Sequence, residues 1–359
     1  MTLELRNVSK NVGAETHIHE TSLAFAPGGF NILLGATNAG KSTLIKLMAG
    51  LEKPTQGEVW VDGRNVTGIS PQKRNIALVH QFFINYPHFS VYENIASPLR
   101  VSGVNASDID RRVREAADIL QLGPMLDRRP QELSGGQQQR TALARAIVKD
   151  SKAIFLDEPL ANLDYKLREE LREQLPDILG ERGTVVVYAT SEPTEALLLA
   201  GHTALVHEGR VTQFGPTTRI YRSPADLVSA RVFSDPPINL AQVEKRGDQI
   251  VLGALQWTAE GDAAALRDGT YTLGVRPHHV TPMQPDAPSV PIEGRVEITE
   301  LSGSESVAHF GLGGHVWVSQ SPGTHPFRVG EEHQFHLVPT QCFYFDESGT
   351  LAAKGGAHG

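Results

Sequence analysis

Residues 35–43 read Gly35-Ala36-Thr37-Asn38-Ala39-Gly40-Lys41-Ser42-Thr43. This is the spacing of a phosphate-binding loop, G-x-x-x-x-G-K-[ST]. An apolar run, Phe30 to Leu34, reads as a buried strand leading in, and Thr43-Leu-Ile-Lys-Leu-Met-Ala reads as a helix leading out. Backbone N–H groups in such a loop and at the helix N-terminus cradle phosphates. Gly35 and Gly40 are expected to let the chain approach a ligand with no Cβ in the way. Lys41 is expected to reach the β- and γ-phosphates, and the Ser42 hydroxyl to hold Mg²⁺. A Gly-rich turn can arise by chance, but strand, loop and helix in this order argue against chance.

A second pattern narrows the choice. Residues 133–140 read Leu-Ser-Gly-Gly-Gln-Gln-Gln-Arg, and Asp157 follows inside Ala153-Ile-Phe-Leu-Asp-Glu-Pro. An apolar run ending in two acids suits a second nucleotide strand. Asp157 would hold Mg²⁺ through water and Glu158 would polarise the attacking water. Taken singly, these segments are a Ser/Gly turn before a helix and a buried strand ending in acids. In this order, with Asn162-Leu-Asp164 just after, the chain resembles the ATPase subunits of ABC transporters over its first 235 residues. The resemblance implies an α/β P-loop ATPase domain that binds ATP and Mg²⁺.

Bulk properties fit that reading. A chain of 359 residues is too long for one ordinary core, so two domains are expected. No apolar run approaches the ~18 residues of a membrane span. The first residues lack the basic-then-apolar form of a signal peptide. The single Cys342 cannot form an internal disulfide and suits packing in a reducing compartment. Net charge is −8, and residues 236–359 carry 7 basic against 14 acidic residues. Neither half has the basic stripe of a nucleic-acid binder, so no nucleic-acid partner is expected.

Along the chain, Leu3 to Val8 alternates as an edge strand would, and Val59 to Gly63 and Asn75 to His80 read as strands. Residues 107–121 read as a helix behind a Ser cap, Gln137 to Val148 as a second, and Asp164 to Leu179 as a third interrupted near Pro176. Thr184 to Tyr188 is a β-branched buried strand. Strands alternating with helices argue a parallel sheet. Composition changes at Ser234-Asp-Pro-Pro, dividing a domain over 1–235 from one over 236–359. Beyond it come short strands at Gln249–Leu252, Tyr271–Val275, Gly294–Thr299, Ser306–Phe310, Val316–Ser319 and Gln334–Val338, a spacing that suggests a small all-β, OB-like barrel. Its eight His residues show no ligand spacing, and the tail from Lys354 is expected to be disordered.

The stretches Gly215 to Pro224, Phe233 to Leu240 and Gly274-Val-Arg-Pro-His278 resemble the maltose-type importer ATPases for sugars and polyols. Those carry a C-terminal regulatory domain of small barrels. The Asn85-Tyr-Pro loop and Glu93 to Arg100 resemble the glycerol-importer subgroup. Several roles follow from the resemblance alone. Gln81 would touch Mg²⁺ and the attacking water. Ser134, Gly135, Gly136 and Gln137 would bind the γ-phosphate held by the other subunit, because one loop holds phosphates from one side only. Asp164 would lie at the same dimer interface. Phe82, Phe83, Tyr86 and Phe89 would line a groove for a helix of a permease. The implied partners are a second ABC ATPase chain, two membrane permease subunits and, indirectly, an extracytoplasmic solute-binding protein. The implied place is the cytoplasmic face of the inner membrane.

Two positions depart from the family. Where it has a His in contact with the γ-phosphate, the chain has Ser191, within Thr190-Ser191-Glu192-Pro193. Serine is shorter and cannot carry positive charge. Where an aromatic ring stacks on adenine, the chain has Val12, a loss of roughly 1 kcal/mol or more. Ser191 beside an intact 133–137 motif favours a heterodimer with a related, more active ATPase over a homodimer. Two further readings stand as alternatives: a nucleotide-binding regulatory subunit with a degenerate site, and a soluble ABC-type mechanoenzyme. The second usually has two cassettes or a coiled-coil insert, and neither is read here.

Overall fold

The computed structural model of the chain describes residues 2–25, 27–161, 163–180 and 183–356. Contacts divide the chain between Thr218 and Arg219 into two compact units. The first unit runs β1 (Leu3–Val12), β2 (Glu15–Phe25), β3 (Gly29–Leu34), α1 (Lys41–Ala49), β4 (Gln56–Val61), β5 (Arg64–Asn65), β6 (Ile76–Val79), α2 (Val91–Val101) and α3 (Ala106–Ile119). It continues with α4 (Gly135–Ile147), β7 (Ala153–Asp157), α5 (Tyr165–Gly180), β8 (Val185–Thr190), α6 (Pro193–Leu199), β9 (His202–His207) and β10 (Arg210–Pro216).

Apolar runs with little polar side to turn outward become central parallel strands. Every residue of β7 and β8 is buried. The sheet order is β10-β9-β3-β8-β7-β6, with β10 antiparallel at one edge and the rest parallel. A second, antiparallel sheet has the order β2-β1-β4-β5. Leu3, Leu5 and Val8 of β1, Leu44, Ile45 and Met48 of α1, and Phe155 and Val187 belong to one core. Each large side chain buried there contributes ~1.5–3 kcal/mol. The helix that begins with Lys41 is thereby fixed against both sheets.

Several expectations change. β1 is not an edge strand, since it pairs with β2 on one side and β4 on the other. Asn105, not Ser107, caps α3: its side chain accepts from Asp108 N at 3.0 Å, and Ser107 lies within the first turn. α5 runs through Pro176 unbroken. Proline removes one N–H bond, while Leu171, Leu175 and Leu179 stay buried on either side of it. α4 starts at Gly135 because Ser134 caps it.

α7 (Thr217–Arg222) spans the division. The second unit then holds α8 (Leu227–Val232), β11 (Asn239–Arg246), β12 (Gln249–Leu252), β13 (Leu255–Thr258), β14 (Gly269–Val275), β15 (Val280–Thr281) and β16 (Val290–Leu301). It ends with β17 (Glu305–Leu312), β18 (His315–Pro322), β19 (Glu332–Leu337), β20 (Phe343–Phe345) and β21 (Leu351–Lys354). One sheet is β13-β12-β11-β14-β20-β21, the other β15-β19-β16-β17-β18. The five-stranded sheet nearly closes: across its seam Ser319 Oγ donates to the Val280 carbonyl at 2.6 Å. Trp257, Leu273, Phe310, Trp317, Phe335 and buried Cys342 share one core. Ala230 of α8 packs with Ile238, Phe343 and Phe345, so residues 219–235 group with this unit although composition changes later. The tail is ordered further than expected: Lys354 lies in β21, and Gly355 N donates to the Cys342 carbonyl at 2.9 Å. Residues 357–359 lie outside the described residues.

Candidate functional site: a phosphate-binding cleft

The loop after β3 is held by its neighbours before any ligand is considered. Gly35 N donates to the Thr190 carbonyl at 3.3 Å. A Cβ on Gly35 would meet the Val206 carbonyl oxygen at 2.2 Å. Gly40 sits at φ 112° as the N-cap of α1, and its Cβ would meet Ile18 Cδ1 at 2.8 Å. Both glycines are required by their protein neighbours. Ala36 and Ala39 shape the turn from within, Ala39 N donating to the Ala36 carbonyl at 3.1 Å.

A cleft of about 750 Å³ opens over this loop. Thr37, Asn38, Gly40, Lys41, Ser42 and Thr43 line it, and Gln81 and Glu158 reach it from the ends of β6 and β7. Lys41 is buried; its Nζ donates to the carbonyls of Gly35 at 2.7 Å and Ala36 at 3.0 Å and lies 3.2 Å from Glu158 Oε1. Gln81 Nε2 donates to Glu158 Oε2 at 3.2 Å. Glu158 holds a left-handed backbone, φ 48°, with its N–H on the Ala189 carbonyl at 3.0 Å. Such a conformation in a non-glycine residue persists where surroundings impose it, and it clusters at functional sites.

Ser42 Oγ donates to Asp157 Oδ1 at 3.0 Å. Burial pushes the Asp157 carboxyl above its ordinary value, opposed by the Ser42 hydrogen bond. A hydroxyl and a buried carboxylate side by side are hard oxygen donors of the kind Mg²⁺ takes.

Other predicted residues lie apart from this cleft. Ser134 and Gly135 are exposed at the start of α4, where Ser134 and Gln137 form a reciprocal capping box at 3.3 and 2.9 Å. Gly136 and Gln137 are half-buried in the same turn. Asp164 is exposed and accepts from Leu167 N at 3.1 Å. Ser191 is exposed directly after Thr190, whose carbonyl receives the Gly35 N–H. Arg168 ties these regions together: Nη1 donates to Glu192 Oε1 at 3.1 Å, and Nη2 to the carbonyls of Ala161 and Leu163, both at 3.3 Å. Asn162 lies outside the described residues. Of the expected aromatic groove, Phe82, Tyr86 and Phe89 are exposed and Phe83 is half-buried.

Val12 does line the cleft, and so do residues that sequence reasoning missed: Thr16, His17, Lys46, Glu52, Glu208 and Gly209. They come from a hairpin, a helix end and a distant turn. Only their meeting in space marks them.

A parallel sheet with a phosphate loop after one strand and an Asp-Glu pair closing another is the pattern of a P-loop NTPase, and the antiparallel sheet β2-β1-β4-β5 with the Ser134 motif at the start of α4 makes it that of an ATP-binding cassette. Residues 18–161 match the ABC transporter family, and residues 273–345 match the TOBE domain. The chain is 40% identical to the sn-glycerol-3-phosphate import ATP-binding protein UgpC 3 of Rhizobium etli, over 87% of each chain. It is 35% identical to the UgpC protein of Cupriavidus pinatubonensis, over 96% of this chain and 97% of that one. The dimeric, post-hydrolysis structure of the ATP-binding cassette MJ0796 bound to ADP and Pi superposes with TM-score 0.56 and 28% identity, over 60% of this chain and 98% of that chain. The chain belongs to the ATP-binding subunits of ABC importers. It is an ATPase whose hydrolysis drives import.

Proposed function

We propose that the chain energises uptake of a polyol phosphate of the sn-glycerol 3-phosphate kind. The chain works in a dimer of ATPase subunits, bound to two membrane permease subunits and served by an extracytoplasmic binding protein. The observation that carries the ATPase chemistry is Glu158, held between Lys41 and Gln81 at 3.2 Å each over the phosphate loop. Loop N–H groups at residues 35–43 take the phosphates, and Lys41 turns to the β- and γ-phosphates. Ser42, Asp157 and Gln81 would hold Mg²⁺, which would offset charge on the phosphates. Glu158 orients the attacking water as general base, and Gln81 fixes its carboxylate.

The remaining donors come from across the dimer. The exposure of Ser134 and Gly135 at the start of α4 supports N–H donation from Ser134–Gln137 to the partner's γ-phosphate. Exposed Asp164 would meet the partner beside it. Ser191 takes the place of the imidazole near the γ-phosphate, and this weaker group favours a partner that is a related chain over a second copy. Among the described residues no helix is long and apolar enough to cross a membrane, so attachment runs through the permease at the cytoplasmic face. The apolar cluster of Phe82, Ile84, Tyr86 and Phe89, each exposed, suits an amphipathic permease helix.

Reconstitution of the full importer in vesicles tests this. ATP hydrolysis stimulated by the loaded binding protein, with uptake of sn-glycerol 3-phosphate, is expected. A complex that hydrolyses ATP yet moves no polyol phosphate overturns the cargo and leaves the ATPase assignment.

A further inference from the structure

A phosphate loop fixes one end of a nucleotide and leaves open where its base goes. In the sheet order β10-β9-β3-β8-β7-β6, the strands carrying Gln81 and Glu158 lie on one side of β3, and β9 lies on the other. The turn after β9 brings Glu208 and Gly209 to the cleft. Gly209 N donates to the Ala39 carbonyl at 2.8 Å, and the Gly209 carbonyl accepts from His19 N at 2.9 Å. β2 is thereby strapped to the phosphate loop. Its residue His17 sits so close that a Cβ on Gly209 would be 2.4 Å from the His17 carbonyl oxygen.

The cleft wall on that side is Val12, Thr16 and His17, beside Glu208 and Gly209. Among the residues lining the cleft, His17 is the one that carries an aromatic ring. Its neighbour Ile18 is fully buried, whereas His17 falls at the register shift between Thr16 and Ile18 and stays exposed. The side chain is 40% exposed, with Nε2 3.7 Å from Glu15 Oε2. A nucleoside triphosphate with its phosphates on residues 35–43 and its γ-phosphate toward Glu158 sends its base to this wall.

We propose that the His17 ring is the stacking surface for the purine base of bound ATP and supplies the contact that Val12 cannot. The proposal rests on the nucleotide reading of the cleft and assigns its base subsite. A flat imidazole stacks on any base, so recognition here is by face and not by edge.

Equilibrium binding to the full chain decides it, with a non-hydrolysed ATP analogue and with inorganic tripolyphosphate, which has no base. His17→Ala is expected to weaken the analogue roughly fivefold, the factor that about 1 kcal/mol of stacking gives, and to leave tripolyphosphate unchanged. His17→Phe is expected to retain the wild-type affinity, and Val12→Ala to change it little. Unchanged analogue affinity in His17→Ala, equal loss for both ligands, or a larger loss in Val12→Ala overturns the assignment. If wild type binds neither ligand, the nucleotide reading itself fails, an outcome distinct from failure of the ring.

Discussion

At the phosphate end of the cleft, Lys41 and Asp157 are buried, Gln81 and Glu158 half-buried, and the four are tied to one another or to Ser42 by bonds of 3.0–3.2 Å. At the base end, Val12, Thr16 and His17 are exposed, and β2 is tied to the turn after β9 through His19 N on the Gly209 carbonyl. The difference is one of chemistry. Phosphate and metal carry concentrated charge, which demands oriented donors away from bulk water. A base is flat and weakly polar, and any aromatic face held at the right height serves it. The first end depends on side chains bonded to one another, whereas the second is an open wall that Val12 and His17 share.

The largest effect is expected from Lys41→Ala. Removing the one cation against the loop carbonyls should abolish binding of a labelled ATP analogue at this chain's site. Unchanged affinity would break the comparison at its root. Next come Ser134→Arg and Glu158→Gln, compared by steady-state ATPase rates in complexes of verified composition. With a related chain as partner, Ser134→Arg should remove most turnover, because it blocks the site formed with the partner's loops. Glu158→Gln should cost less, although a general base is worth roughly 10²–10⁴-fold in the site it serves. Equal loss in both, with one ATPase chain in the complex, points to a homodimer in which Ser191 supports hydrolysis.

Asp157→Asn separates function from stability. Hydrolysis should fall while thermal stability at neutral pH rises. The wild-type carboxyl is raised by burial, so the native state favours its protonated form. Stability from that form is present at low pH and is lost as pH rises through the raised value. The Tm advantage of Asp157→Asn should therefore shrink as pH falls toward the ordinary carboxylate range. An advantage that grows with acidity would contradict the burial argument.

Ser191→His is expected to raise steady-state turnover, since it places an imidazole where the γ-phosphate is expected. The smallest effect is expected from truncation. A fragment ending at Asp235 should keep nucleotide binding, because the cleft lies within the first unit. Its residues 219–235 should become sensitive to protease, because Phe343 and Phe345, which pack with Ala230, are gone. Loss of nucleotide binding in a soluble fragment would tie the cleft to the second unit.

Legibility followed contiguity. The loop at 35–43 and the Asp157-Glu158 pair could be read directly, because their chemistry needs neighbouring residues on one turn. The parallel strands β3, β7 and β8 were legible because burial on both faces leaves unbroken apolar runs. β11, β13, β15, β20 and β21 were not read. They are short or, like Asn239–Arg246, carry charge, and they are strands through what they pair with. The same holds for β1, whose alternation said strand but not that β4 covers its second edge.

The sequence by itself determined that this chain carries a strand-loop-helix turn of phosphate-binding form and places an acid pair at the end of a buried strand, because both are local patterns of backbone and charge. Only the tertiary structure decided why Gly35 must be glycine, with the Val206 carbonyl 2.2 Å from its Cβ position. It also brought Gln81 to Glu158 and set His17 at the other end of the cleft. Those arrangements join residues tens to hundreds of positions apart, and what brings them together is the packing of α1 and the two sheets on one core.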